Sequence, residues 1–119
     1  MEDLIYSHFT TMCYHSSLDE IKEVIEKYKI DLNYDDDSFI EIICFRNNIE
    51  LLKLFVNNGC KINEDILSLV SSMGYLELVK YLVSIGIKYD NLIKTSAYNT
   101  YPEIKDFYDG IIKKECIIY

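Results

Sequence analysis

The chain has 119 residues, half of them hydrophobic and 27% charged, with a net charge of −8 and a pI near 4.6. That acidity argues against a phosphate backbone or an anionic membrane as partner, because both demand a basic face; the acidic start MEDLIYSHF lacks the basic flank of a secretory signal, and no apolar run is long enough to span a bilayer. The expectation is a single cytoplasmic domain over residues 1–119 whose four cysteines, Cys13, Cys44, Cys60 and Cys116, are reduced, two of them buried.

In chain order, SSLDEIKEVIEKY sets Ile21, Val24 and Ile25 at the i, i+3, i+4 spacing of a helix with one buried stripe. DSFIEIICFRNN predicts a short apolar helix, with Ser38 and Glu41 at capping-box spacing, and NNIELLKLFVNNG a second, amphipathic one. EDILSLVSSMG, with Asp65 as its expected N-cap, and GYLELVKYLVSIG repeat that pair. YPEIKDFYDG places Ile104, Lys105, Phe107 and Tyr108 on the same template. Gly59 lies 27 residues before Gly86, and Lys22, Lys53, Lys80 and Lys105 fall 31, 27 and 25 residues apart. One helix pair is therefore written about four times, with a period that shortens toward the C-terminus. Tight turns near Asn47 and Gly74 join the helices of a pair, and Gly59 and Gly86 end the second helix in the left-handed conformation. Acids three residues before the shared lysines (Asp19, Glu50, Glu77) predict helix-surface pairs contributing tenths of a kcal/mol.

These residues resemble the ankyrin repeat. Ser38, Ile40 and Cys44, and again Asp65, Leu67 and Ser71, fall on the Thr, Leu and second Ala positions of that family's first helix. Gly74 matches its turn glycine, LELVKYLV its second helix, and GCKIN (Gly59 to Asn63) its exit; YKIDLN is a looser exit, with Tyr28 at the glycine position. The departures are that no repeat keeps Thr-Pro-Leu-His, and that Asn63 and Asp65 stand only two residues apart where the family places a β-hairpin finger. The missing segment accounts for a period of 27 instead of the family's roughly 33 residues. The resemblance implies an all-α, ankyrin-like solenoid of about four helix-turn-helix repeats (about 3–34, 35–63, 64–90 and 91–115) with truncated fingers, similar to those encoded by large DNA viruses (giant viruses). The excess of Ile, Tyr and Lys over Ala and Arg fits an A+T-rich genome, so the eleven tyrosines are not in themselves a binding signature.

The resemblance further implies a non-catalytic module, monomeric and without cofactors, that binds another protein, a host protein in host cytoplasm if the source is viral. The family commonly binds on its concave face through the outward positions of the first helices. Those positions project onto Thr11, Tyr14 and His15, onto Ile42, Phe45 and Arg46, onto Leu69, Ser72 and Met73, and onto Lys94 and Tyr98. Ile42, Phe45, Leu69 and Met73 would form an apolar interaction patch if exposed; if the missing fingers let the first helices tilt, the same side chains become extra core. The alternative is a self-associating element that pairs through this patch or through the tail IIKKECIIY. No metal site is expected, since Cys13, His8 and His15 do not complete a zinc set and the acidic run Asp35–Asp37 lacks the pattern of a calcium loop. Ser16 and Ser17 beside His15 point to different sides of the backbone and do not make a nucleophile-base pair.

Overall fold

The computed structural model describes residues 2–34, 38–89 and 100–117, and the side chains of 4–34, 39–89 and 100–112. The chain forms two compact units, Met1–Ile62 and Asn63–Tyr119. The first holds α1 (Glu2–His15), α2 (Leu18–Tyr28), α3 (Ser38–Phe45) and α4 (Ile49–Asn57). The second holds α5 (Glu64–Ser72), α6 (Leu76–Ser84) and α7 (Pro102–Ile117). No strand occurs among the described residues, so the fold is all-α as the periodicity predicts. The six residues 58–63 between α4 and α5 leave no room for a hairpin. The expected first helix of the fourth repeat falls on 90–99, outside the described residues.

Three helices, α2, α4 and α5, begin where a side chain accepts from an orphan backbone N–H, whereas α6 has no side-chain cap. Ser17 caps α2 in a full capping box: its Oγ accepts from the Glu20 N–H while the Glu20 carboxylate accepts from the Ser17 N–H. Asn48 Oδ1 accepts from the N–H groups of Glu50 and Leu51 at the start of α4. For α5 the cap is Asn63 and not Asp65: Asn63 is extended (φ −126°, ψ −178°) and its Oδ1 accepts from the Ile66 N–H at 3.2 Å. Asp65 lies inside the first turn, where its carboxylate favours the positive end of the helix dipole instead. Ser38 is likewise the first helical residue of α3, and its expected capping box lies outside the described side chains.

The helix exits follow one hydrogen-bond plan. At the end of α4 the Gly59 N–H donates to Val56 O and the Cys60 N–H to Phe55 O; at the end of α6 the Gly86 N–H donates to Val83 O and the Ile87 N–H to Leu82 O. Gly59 (φ 91°) and Gly86 (φ 98°) thus occupy the left-handed position of a Schellman motif, as expected. In the looser first exit the left-handed residue is Lys29 (φ 53°), not Tyr28, because the Ile30 N–H reaches back to Ile25 O and fixes the register one residue later. Inside the pairs, Asn47 (φ 50°) and Gly74 (φ 73°) make equivalent turns, asparagine tolerating this region better than other non-glycine residues. Gly110, by contrast, lies within α7 and ends nothing.

Packing gives the 27-residue period its physical meaning. In the first unit α1 packs on α2 and α3, and α4 on α3 and α2; Phe39, Ile40 and Ile43 of α3 and Leu51, Leu52 and Phe55 of α4 are buried. Their counterparts 27 residues later in the second unit, Ile66, Leu67 and Val70, then Leu78, Val79 and Leu82, are buried too. Phe9 joins the first core with its ring edge-on to Phe39, the centroids 5.0 Å apart. In the second unit α7 packs on α6, opening on Pro102 and burying Ile104 and Tyr108 one turn apart. A polar tie runs alongside the first core: the Asn33 side chain donates from Nδ2 to Gly59 O at 3.1 Å and accepts at Oδ1 from the Lys61 N–H at 2.8 Å, joining the exits of successive helix pairs.

Candidate partner-binding surface

The C-terminal ends of α1 and α3 carry most of the projected binding positions of the first unit. Tyr14 and Phe45 are 54% and 56% exposed, large aromatic side chains left in water, and Thr11 and His15 are exposed as well. The rings of Tyr14 and His15 stand 6.1 Å apart, tilted. Arg46, also expected to reach a partner, is turned inward: its Nη1 donates to Ser16 O at 2.7 Å and to Cys13 O at 3.3 Å. The guanidinium thus satisfies carbonyls that the last turn of α1 leaves open, and its charge suits the negative end of that helix. Arg46 therefore positions this surface, tying the α3 end that carries Phe45 to the α1 end that carries Tyr14.

Ile42 is 7% exposed and belongs to the core, so the expected exposure fails there. Its place on the short α3, one residue from the buried Ile43, leaves its side chain inside the packed side of the helix. In the second unit Ser72 is exposed and its Oγ donates to Leu69 O, while Leu69 and Met73 are half-buried. Lys94 and Tyr98 lie outside the described residues, as does the run Asp35–Asp37.

The small positions of the first helices hold thiols in one unit and a hydroxyl in the other. Burial pushes the Cys13 thiol up to about 12, with Arg46 opposing the shift and Cys60 adding to it. Burial likewise pushes Cys44 up to about 12, with Cys60 and Glu41 adding. Cys60 is buried as well, its Sγ 3.9 Å from Leu32 O. All three cysteines are buried, one more than expected, and Cys116 lies outside the described side chains. Cys60 was hard to foresee because it sits in an exit segment, at the position after the left-handed glycine, where Ile87 stands in the other unit. In the second unit Ser71 takes the place of Cys44, and its Oγ is hydrogen-bonded to the buried Tyr108 hydroxyl at 3.1 Å. Among the described residues no three metal-ligating groups converge, and no helix is long and apolar enough to cross a membrane.

No family profile and no solved structure matches the chain. Two curated proteins do, both named as ankyrin repeat proteins of Acanthamoeba polyphaga mimivirus. One is 36% identical over 72 residues, 59% of this chain, and the other 25% identical over 128 residues, 78% of it. The helix pairs are thus similar to ankyrin repeats of the giant-virus type. The chain spans only 16% and 28% of the lengths of those relatives. Set against the ankyrin pattern, the buried Cys13, Cys44 and Ser71 fall on the second alanine position of the first helix. Asn33 and Asn63 are exit asparagines of the ankyrin pattern, and the amide geometry of Asn33 supplies the reason for that residue type, since one end must donate and the other accept.

Proposed function

We propose that this chain is a non-catalytic ankyrin module that binds another protein, with Tyr14, His15 and Phe45 at the ends of α1 and α3 as the central contacts. The observation that carries the reading is the exposure of two large aromatic side chains on helix ends held by the Arg46 bonds. Exposed aromatic side chains on a rigid support are typical anchors of protein interfaces, because little side-chain entropy is lost when a partner covers them. The net charge of −8 supports a protein partner over nucleic acid or an anionic membrane. The module acts as a monomer in the cytoplasm, that of the host if the chain is viral, as the likeness to mimivirus proteins suggests.

The test compares the wild type with a Tyr14→Ser/Phe45→Ser double variant, immobilised and exposed to amoebal lysate. The variant should melt within a few degrees of the wild type and lose specific partners that the wild type retains, because truncating a central aromatic anchor weakens binding by about 2 kcal/mol or more. Equal retention by both proteins would place the binding face elsewhere. A steep fall in melting temperature would instead assign these rings to packing, where truncation costs about 3–5 kcal/mol.

A further inference from the structure

A second feature of the first unit stands apart from these helix ends. Between the N-terminal half of α1 and the C-terminal half of α2 runs an open groove of about 360 Å³, lined by Leu4, Ile5 and His8 on one side and Val24, Lys27 and Tyr28 on the other. Leu4 is 72% and Tyr28 49% exposed, and Ile5 and Val24 are half-buried. Ile21 and Ile25 of α2 enter the core, and Val24 and Tyr28 lie at the flank of that same apolar face, where the fold covers them only in part. A trough between two paired helices has the shape that receives a third helix.

Charge selects among the occupants. The first unit holds twelve acidic against six basic residues. Glu20 and Glu23 lie on the α2 stripe that carries Val24 and Lys27, Glu23 itself lines the groove, and Glu2 and Asp3 precede Leu4 in α1. The Lys27 ammonium sits over the Tyr28 ring, 5.3 Å from its centre. A second copy of this chain would bring acidic rim against acidic rim, whereas a cationic flank would be drawn in. We propose that this groove docks an amphipathic helix of another protein, with its apolar stripe on Leu4, Ile5, Val24 and Tyr28 and its Lys or Arg residues beside Glu20 and Glu23.

Three fluorescent synthetic helices test this on the full chain by anisotropy at physiological salt. One has leucines at i, i+3, i+4 and i+7 with lysine flanks, one has the same stripe with glutamate flanks, and one has the lysine composition scrambled so that no stripe forms. The lysine-flanked helix should bind at least tenfold more tightly than either control. Leu4→Glu should weaken it at least tenfold although it adds an attracting carboxylate, and Tyr28→Glu should do the same, each variant retaining the wild-type circular dichroism spectrum. Equal binding of the scrambled peptide would reduce the effect to bulk charge and overturn the proposal. So would unchanged binding by both glutamate variants, or loss of binding on Phe45→Ser alone, which would move the peptide to the α1 and α3 ends. A wild-type dimer in light scattering that Leu4→Glu dissociates would give the groove to a second copy.

Discussion

The hydroxyl pair Ser71–Tyr108 is a buried polar contact whose two halves depend on each other. Tyr108→Phe removes one oxygen and leaves the Ser71 hydroxyl buried without its partner, so the variant should lose about 1–3 kcal/mol in denaturant unfolding. Ser71→Ala should cost a similar amount, and the double variant should recover much of the loss, because two apolar groups of the same shape need no hydrogen bond. An additive double variant would show that the bond contributes little. The buried thiols give a second prediction. Cys13 and Cys44 have an ordinary value near 9 that folding raises to about 12. Between those values the unfolded chain has released protons that the folded chain retains, so the stability these thiols contribute is complete below about pH 9 and declines as pH rises toward 12. Melting curves from pH 8 to 10.5 should therefore fall less steeply for Cys44→Ala than for the wild type. At pH 8 both buried thiols should also label far more slowly in the native protein than in urea; rapid labelling of all cysteines would refute their burial.

At the scale of the helix and its turns, the glycines separate two kinds of constraint. Gly86 has a positive φ but open space where a Cβ would stand, so Gly86→Ala meets backbone strain alone, about 1–2 kcal/mol. Gly74 shares the positive φ and also abuts Tyr101, whose ring carbon would lie 2.7 Å from an added Cβ. Gly74→Ala should therefore be the more destabilising by about 1 kcal/mol or more, and Tyr101→Ala should narrow the gap in a double variant. Equal melting temperatures for the two single variants would remove the Tyr101 contact from this account. The exits themselves were legible in the sequence, because only glycine holds that conformation freely and the period repeats it. The caps were less so. In sequence Asn63 reads as an exit residue and Asp65 as the cap, since both types favour caps and only the backbone angles choose between them. A capping box forms at Ser17, and the one expected at Ser38 lies outside the described side chains.

Over the whole chain, far-ultraviolet circular dichroism should report more than half of the residues as helix and no resolved strand signal; a substantial strand component would mean that hairpin fingers form after all. The helix pairs could be read from sequence because apolar spacing records which side of each helix is buried, and the 27-residue offset carried that reading from one unit to the next. The candidate surface is only half readable in the sequence. Tyr14, His15 and Phe45 are exposed where projection put them. Ile42 and Arg46 are not free for a partner in that way, because an outward position on a schematic repeat says nothing of how far a given helix is turned or which open carbonyls lie within reach of a long side chain. The apolar groove of α1 and α2 left no periodic trace, since Leu4, Val24 and Tyr28 look in sequence like ordinary stripe residues.

The same slot filled by Cys44 in one repeat and by Ser71 in another bears on how such an array could grow by gene duplication. A copy of α3–α4 would carry a thiol, which is content in an apolar interior as a neutral group and makes no demand on its new neighbours. A copy of α5–α6 would carry a hydroxyl whose present partner lies 37 residues downstream in α7, and which would arrive at a new site unanswered unless a tyrosine travelled with it. Recombination between repeats is thus asymmetric: the cysteine-bearing pair is a portable unit, whereas the serine-bearing pair is bound to the segment that follows it.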